Sequence, residues 1–288
     1  MRQNNVRKKI GDSIFILPSL IPLLLLFCYP LLKGIFLTFH KSGEAGWTFF
    51  NYITFFTQHN FYDTIPRTFM LVFPASILEL AIAFAMAYYL RKNIKGKQLL
   101  KGLIIFPLTL GPLIVAVGMI DFFKPTGWLN LFLMGIGIVH QPVKLLYNYW
   151  GTFIALVILG TAFMFSNLME LMETIDPNLE LAAISLGAGE FMTFRRVFLP
   201  LIRSSVLTVY GLNFIMQLAV FESAILVGNP ASDSRSFSVV AFQSAMQDFN
   251  YNMATTVAIV MGITQLISLG VIFFIRKKGY IGAASTFK

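Results

Sequence analysis

Residues 64–90 read TIPRTFMLVFPASILELAIAFAMAYYL, and this stretch decides the class of fold. Only two of its residues, Arg67 and Glu79, carry a charge at neutral pH. An α-helix rises about 1.5 Å per residue, and about 20 apolar residues are enough to cross the hydrocarbon of a bilayer. The stretch therefore predicts a transmembrane helix.

Five further apolar stretches of comparable length accompany this one. Proline inside some of them is tolerated, because neighbouring helices in a bundle satisfy the carbonyls that a proline leaves free. The pattern predicts an all-α polytopic membrane protein with six transmembrane helices. The five other stretches are about Ile14–Phe39, Leu103–Phe123, Tyr149–Leu171, Leu199–Val227 and Ala254–Ile275.

The composition excludes most other classes of protein. The 288 residues are 57% hydrophobic and 12% charged, whereas soluble globular proteins are about a quarter charged. Basic residues that flank the spans account for the net charge of +9, so nucleic-acid binding is not expected. Cys28 is the single cysteine and the three histidines lie far apart, so we expect neither a metal site nor a catalytic centre.

The basic residues also predict how the chain is oriented. Sixteen of the 22 lysines and arginines lie in the N-terminal tail, in residues 91–101, in residues 195–203 and in the C-terminal tail. Six spans put all four of these segments on one side of the membrane. Because segments rich in lysine and arginine stay in the cytoplasm, both termini are expected there.

The connection between the fourth and fifth stretches is more than a turn. Residues 172–200 read METIDPNLELAAISLGAGEFMTFRRVFLP. Asp176 followed by Pro177 is a typical helix start, and Gly187 is a typical helix end. The spacing predicts a short cytoplasmic helix over about 176–187, with small residues on its surface that permit close approach of another protein.

This segment resembles the signature loop of the permease subunits of bacterial binding-protein-dependent ABC importers of type I. The family pattern is Glu-Ala-Ala, three residues, Gly, nine residues and then Ile-x-Leu-Pro. Its alanines correspond to Ala182 and Ala183 and its glycine to Gly187. Its closing motif corresponds to residues 197–200, which start with valine in place of isoleucine and end in Pro200.

The resemblance implies that the segment couples this chain to an ATPase. Leu181 stands where the family pattern has glutamate, and the nearest carboxylate is that of Glu180, one residue earlier. The implied coupling loop contains Asp176, Glu180, Ala182, Ala183, Gly187 and Pro200.

The resemblance also implies partners and a location. They are a second permease subunit, identical or different, two ATPase subunits and an extracytoplasmic binding protein, in the lipid bilayer of the bacterial inner membrane. The sequence has no GxxxxGK[ST] motif, so ATP and Mg²⁺ are expected on the ATPase subunits, and this chain is expected to bind no cofactor and to be no enzyme. Residues 1–62 would hold a basic tail, the first span and an outer loop, and residues 63–288 the permease domain.

A secondary transporter is the main alternative class. It predicts an inverted repeat and charged pairs deep in the spans. The halves 14–123 and 149–275 show no detectable self-similarity. A channel would need a selectivity-filter loop, and no such loop is recognisable.

Polar residues inside the spans are candidates for the solute pathway, because ionisable groups in hydrocarbon are costly and often functional. Glu79 lies about 16 Å from the cytoplasmic end of its span. Tyr210, Asn213 and Gln217 fall within about 60° of one another on a helix and form a polar stripe. Glu222 points about 180° away from Asn213, so it is expected at the outer mouth or beyond a break in the helix.

The nature of the solute is suggested by residues 221–230, FESAILVGNP. They look more like permeases for polyamines, ferric ion or phosphonates than like those of the sugar branch. The two acidic residues Glu79 and Glu222 would suit a cation such as spermidine. A structural role for Glu79 and a sugar or oligosaccharide as the solute are the alternatives.

Overall fold

All regular secondary structure in the described part of the chain is helical, as predicted. The structure is a computed structural model that describes residues 22, 24–43, 46–92 and 94–284, with residues 277–284 described by their backbone alone. Its helices are α1 (Leu24–Thr38), α2 (Phe50–Thr57), α3 (His59–Tyr62), α4 (Thr64–Leu90), α5 (Lys97–Phe123), α6 (Trp128–Gly135), α7 (Tyr149–Glu173), α8 (Asn178–Ser185), α9 (Glu190–Leu218), α10 (Glu222–Leu226), α11 (Phe237–Met246) and α12 (Tyr251–Ala284).

Five helical segments among the described residues are long and apolar enough to cross a membrane, and α1 and α11 are shorter apolar helices. The all-α architecture is confirmed, and the five long segments together with α1 correspond to the six predicted spans. Residues 14–21 and 23 of the first predicted stretch lie outside the described residues. The five long segments are His59–Leu90, Lys97–Gly135, Tyr149–Glu173, Glu190–Leu218 and Tyr251–Arg276.

The fifth predicted stretch, Leu199–Val227, is wrong as a single helix. The helix α9 begins nine residues earlier, passes through a π-turn at Phe194–Phe198 and ends at Leu218. Phe221 then has non-helical backbone angles, and α10 follows as a separate short helix. The Ser236 hydroxyl donates a hydrogen bond of 2.8 Å to the backbone oxygen of Val220. This carbonyl is thus satisfied from outside, and the helix can break inside an apolar region.

The helix α5 is kinked at Gly111. This glycine has φ +77° and ψ 163°, a conformation that side chains with a Cβ rarely adopt, and Pro112 follows it directly. A glycine before a proline therefore separates two helical halves that the apolar pattern alone joins into one span.

The described chain divides into two compact units. The first contains residues up to Tyr62 together with Ala241–Val260. In this unit the buried Asn51 amide donates to the backbone oxygens of Thr38 and His40, each at 2.9 Å, and Asn252 donates to the same His40 oxygen at 2.6 Å. These bonds tie the end of α1 and the following turn to α2 and to the start of α12.

The second unit contains Asp63–Val240 and residues from Met261 onwards. Its centre is α4 packed along α7, with α9 against both. Ala75, Ala83 and Ala87 of α4 are fully buried, and such small side chains let membrane helices approach closely. The predicted division into residues 1–62 and 63–288 shares one boundary with these units and stays a prediction.

Candidate functional site

A buried polar cluster lies where α4, α7 and α9 meet. The Glu79 side chain has no exposed surface. Asn213 Nδ2 donates to its Oε2 at 2.7 Å, and Gln217 Nε2 lies 2.8 Å from both of its oxygens. Two amide groups of α9 thus satisfy a carboxylate that the surrounding hydrocarbon would otherwise make very unfavourable.

Gly160 of α7 forms the third wall of this cluster. A Cβ built on Gly160 would overlap the Glu79 carboxylate and the Gln217 amide nitrogen. The cluster therefore fits only beside a residue without a side chain. Sequence reasoning missed Gly160, because one glycine in an apolar helix gives no signal of what it faces.

Tyr210 continues the cluster along α9. Its hydroxyl lies 3.2 Å from the Ser76 hydroxyl of α4, one turn before Glu79. The polar stripe expected on α9 thus faces α4. The structure brings Glu79, Asn213 and Gln217 into direct contact and puts Tyr210 beside them.

Glu222 is separate from the cluster. It is the first residue of α10, beyond the break after α9, and it is half-buried. The break redirects the chain at the position where the stripe would otherwise continue. The role of these five residues as a solute pathway stays a prediction.

The segment between α7 and α9 forms a short helix and a turn, and the helix, Asn178–Ser185, is shorter at both ends than the predicted 176–187. Asp176 Oδ1 accepts a hydrogen bond of 2.9 Å from the Asn178 backbone nitrogen, which starts α8. Gly187 ends α8 with φ +89°. The backbone nitrogens of Gly187 and Ala188 donate to the oxygens of Ile184 and Ala183 at 2.9 and 3.1 Å, the pattern that closes a helix through a left-handed glycine.

This segment exposes large apolar side chains. Leu186 is 90% exposed and Phe191 is 74% exposed. Ala182, Ser185 and Pro200 are also exposed, whereas Ala183 is half-buried. An exposed apolar surface of this kind is typical of a contact with another protein. The exposed large apolar residues of the segment are Leu179, Leu181, Ile184, Leu186, Phe191 and Met192.

Glu180 does not point away from the protein. Both of its oxygens accept hydrogen bonds from the Arg91 guanidinium, one of them at 2.7 Å from Nη2. The hydrogen-bonded carboxylate raises the pKa of Arg91 above its ordinary value. Sequence reasoning missed this pair, because the two residues are 89 positions apart.

No group of three or more histidine, cysteine, aspartate or glutamate side chains within the described residues could hold a metal ion. The segment at α8, with its exposed apolar side chains, and the buried cluster at Glu79 are the two candidate functional sites among the described residues.

Comparison with known proteins agrees with this arrangement. The family described as the binding-protein-dependent transport system inner membrane component matches residues 79–277, which include both sites. The chain belongs to this family. It is a permease subunit of a binding-protein-dependent ABC importer, and the predicted identification is confirmed.

Two relatives show the range of solutes in this family. The sulfate transport system permease protein CysT of Synechocystis is 24% identical to this permease over 218 residues, which are 75% of this chain and 74% of the relative. The spermidine/putrescine transport system permease protein PotB of Escherichia coli is 27% identical over 211 residues, which are 72% of this chain and 76% of the relative.

A solved structure shows the same fold. The crystal structure of a bacterial alginate ABC transporter in complex with an alginate pentasaccharide-bound periplasmic protein contains a chain that superposes with a TM-score of 0.81. The match covers 93% of this permease and 94% of that chain at 20% identity. The fold is therefore that of the type I ABC importer permeases.

Proposed function

We propose that this permease carries a small cation of the polyamine class, such as spermidine or putrescine, into the bacterial cytoplasm. The observation that carries the proposal is the single carboxylate, Glu79, in the middle of α4. It is held by two neutral amides and faces no basic side chain in the contacts of the cluster. The similarity to a spermidine/putrescine permease supports the same solute class.

Sulfate is the second candidate. The similarity to sulfate permeases favours it. An anion would find hydrogen-bond donors in Asn213 and Gln217, but it would be repelled by Glu79. The carboxylate is thus the feature that separates the two candidates.

We also propose that the solute route follows the polar stripe of α9. In the observed conformation Asn213 and Gln217 occupy both oxygens of Glu79. A cation could replace these donors only if α9 moves away from α4. Tyr210 and Glu222 would then flank the route on either side of the amides.

The partners follow from the same proposal. Two ATPase subunits hold ATP and Mg²⁺, and α8 docks on the ATPase surface. A second permease subunit completes the route. A binding protein delivers the solute on the outer side of the membrane. Support comes from the exposed apolar residues around α8, which suit a contact with another protein. ATP-driven closure of the ATPases would move α8 and open the route outward.

The solute can be tested with the binding protein that works with this permease. Calorimetry should show that the purified binding protein binds spermidine or putrescine. Cells that express the complete transporter should then accumulate radiolabelled polyamine, and an ATPase-inactive transporter should not. Binding and uptake of sulfate would select the second candidate, and binding of an uncharged oligosaccharide would contradict both.

The orientation gives a prediction of its own. In a Cys28→Ala background, Lys95→Cys lies between α4 and α5 and Ala231→Cys lies after α10, and both positions are exposed. Because basic segments stay in the cytoplasm, we expect an impermeant thiol reagent added to intact cells to label Ala231→Cys and to leave Lys95→Cys unlabelled. Lysed cells serve as the control, in which both cysteines should react. Labelling of Lys95→Cys but not of Ala231→Cys in intact cells would show that the protein has the opposite orientation.

A further inference from the structure

Arg91 lies at a point where three elements of the second unit meet. It directly follows the last residue of α4, and its guanidinium pairs with Glu180 of α8. Its Cζ atom lies 4.4 Å from the ring centre of Tyr88 in α4 and 4.2 Å from that of Phe198 in α9. These four residues, Tyr88, Arg91, Glu180 and Phe198, are called the Arg91 junction below.

We infer that the Arg91 junction transmits the movement of α8 to α4 and α9, so that Arg91 and Glu180 are positioning residues for transport. The inference rests on the proposed coupling role of α8 and deepens it.

The geometry of the junction suits a rigid connection. The guanidinium and the carboxylate meet through two parallel hydrogen bonds, which fix orientation as well as distance. The two side chains are only 14% and 17% exposed, so water and salt weaken the pair little. Phe198 is fully buried, and its ring packs on Tyr88 with centres 5.1 Å apart. A shift of α8 therefore has to displace Arg91 and with it both aromatic rings.

The junction also connects the two candidate sites. Arg91 caps the C-terminal end of the helix that contains Glu79 and lies twelve residues after it, a distance of about 18 Å. Phe198 is the last residue of the π-turn in α9, and α9 also carries Asn213 and Gln217. Movement of α4 relative to α9 at the junction would therefore separate Glu79 from its two amide donors.

A different role for Glu180 is the main alternative. The family pattern has glutamate at the position of Leu181, and Glu180 could contact the ATPase directly instead of acting through Arg91. The two roles differ in one respect. If Glu180 acts through Arg91, removal of either residue has the same effect, and removal of both adds nothing.

A double-mutant cycle tests this on the complete transporter in liposomes. The measured quantity is the rate of ATP hydrolysis in the presence of the binding protein, which is used as it is purified from the host cells. Two reference measurements accompany it: the rate of hydrolysis without the binding protein and the yield of assembled complex. The variants are Arg91→Met, Glu180→Gln and both together, with Arg91→Lys as a second variant that keeps the charge but loses the paired hydrogen bonds. Glu173→Gln is the matched control, since Glu173 pairs with Lys101 at 2.6 Å and joins α7 to α5.

We expect each single variant to lower stimulated hydrolysis about tenfold, and the double variant to be no worse than either. Arg91→Lys should be impaired as well, and Glu173→Gln should behave as wild type. The inference is overturned if Glu180→Gln is impaired while Arg91→Met is normal, if the two effects multiply to about a hundredfold, or if neither variant is impaired. If neither variant is impaired, the substitution Gly187→Asp at the end of α8 separates two explanations. Loss of coupling in Gly187→Asp would mean that only the inference about the Arg91 junction fails. Normal coupling in Gly187→Asp would mean that the proposed role of α8 fails as well.

Discussion

Gly187→Asp is expected to lower solute uptake and substrate-stimulated ATP hydrolysis about tenfold or more, while the protein still inserts into the membrane. Gly187 has φ +89°, and a side chain with a Cβ costs roughly 1 kcal/mol in this left-handed conformation. A penalty of about 1.4 kcal/mol on the docked arrangement of α8 is enough for a tenfold loss. The new charge next to the exposed apolar residues of the segment adds to it.

Insertion should survive because the space around Gly187 is open. A Cβ at this position would meet no atom within 4 Å. The loss is thus expected in coupling, not in folding. It is measured as uptake and stimulated hydrolysis per amount of assembled complex.

Gly189→Asp provides a matched control two residues away. Gly189 has φ −68°, which any residue adopts, and it precedes α9, where aspartate is a favourable cap. We expect Gly189→Asp to couple much better than Gly187→Asp. Equal losses in both variants would mean that charge alone matters, and normal coupling by Gly187→Asp would contradict the role of α8.

The second large effect is expected at Glu79. Glu79→Leu removes the acceptor of Asn213 and Gln217, and each buried amide that is left without a partner costs roughly 1 to 3 kcal/mol. The thermal unfolding of the purified complex in detergent should therefore occur at a clearly lower temperature, and the yield of complex should fall.

Glu79→Gln separates charge from hydrogen bonding. The Gln217 Oε1 atom is buried and has no hydrogen-bond donor among the described residues. A flipped Gln217 amide could therefore present this oxygen to the new amide at position 79, so the variant should be nearly as stable as wild type.

Uptake by Glu79→Gln tests the pathway. If the carboxylate binds a cation, loss of its charge should raise the apparent KM for spermidine about tenfold, since hydrogen bonds to charged groups contribute more than neutral ones. Normal uptake by Glu79→Gln at all spermidine concentrations, together with the instability of Glu79→Leu, would assign Glu79 a purely structural role.

Much of the fold could be predicted because it depends on local properties. The apolar stretch 64–90 coincides with α4, and the stretch 149–171 ends two residues before α7 does. Hydrophobic length determines such helices, since every backbone group in hydrocarbon must be satisfied within its own segment. The presence of a short helix after Asp176 and before Gly187 was predictable for the same reason, because residues that start or end a helix act within a few positions.

Breaks in the helices were harder to predict from the sequence. At the interruption after Leu218, the Ser236 hydroxyl donates a hydrogen bond to the Val220 carbonyl oxygen, 16 residues earlier in the chain. The apolar composition continues through this region without a change. The pattern therefore indicated one long helix where the structure has two.

The amino-acid sequence was enough to predict an all-α membrane protein, the approximate positions of most of its long apolar helices and a short helix near residues 178–185. The contact of Glu79 with Asn213 and Gln217 beside Gly160 and the pair between Glu180 and Arg91 became visible only once the helices were packed together. The helical period showed that Asn213 and Gln217 share a face, but it could not show which helix this face meets. Pairs that are 89 and 134 positions apart form only when helices pack, and the packing depends on small residues and side-chain shapes that have no sequence period.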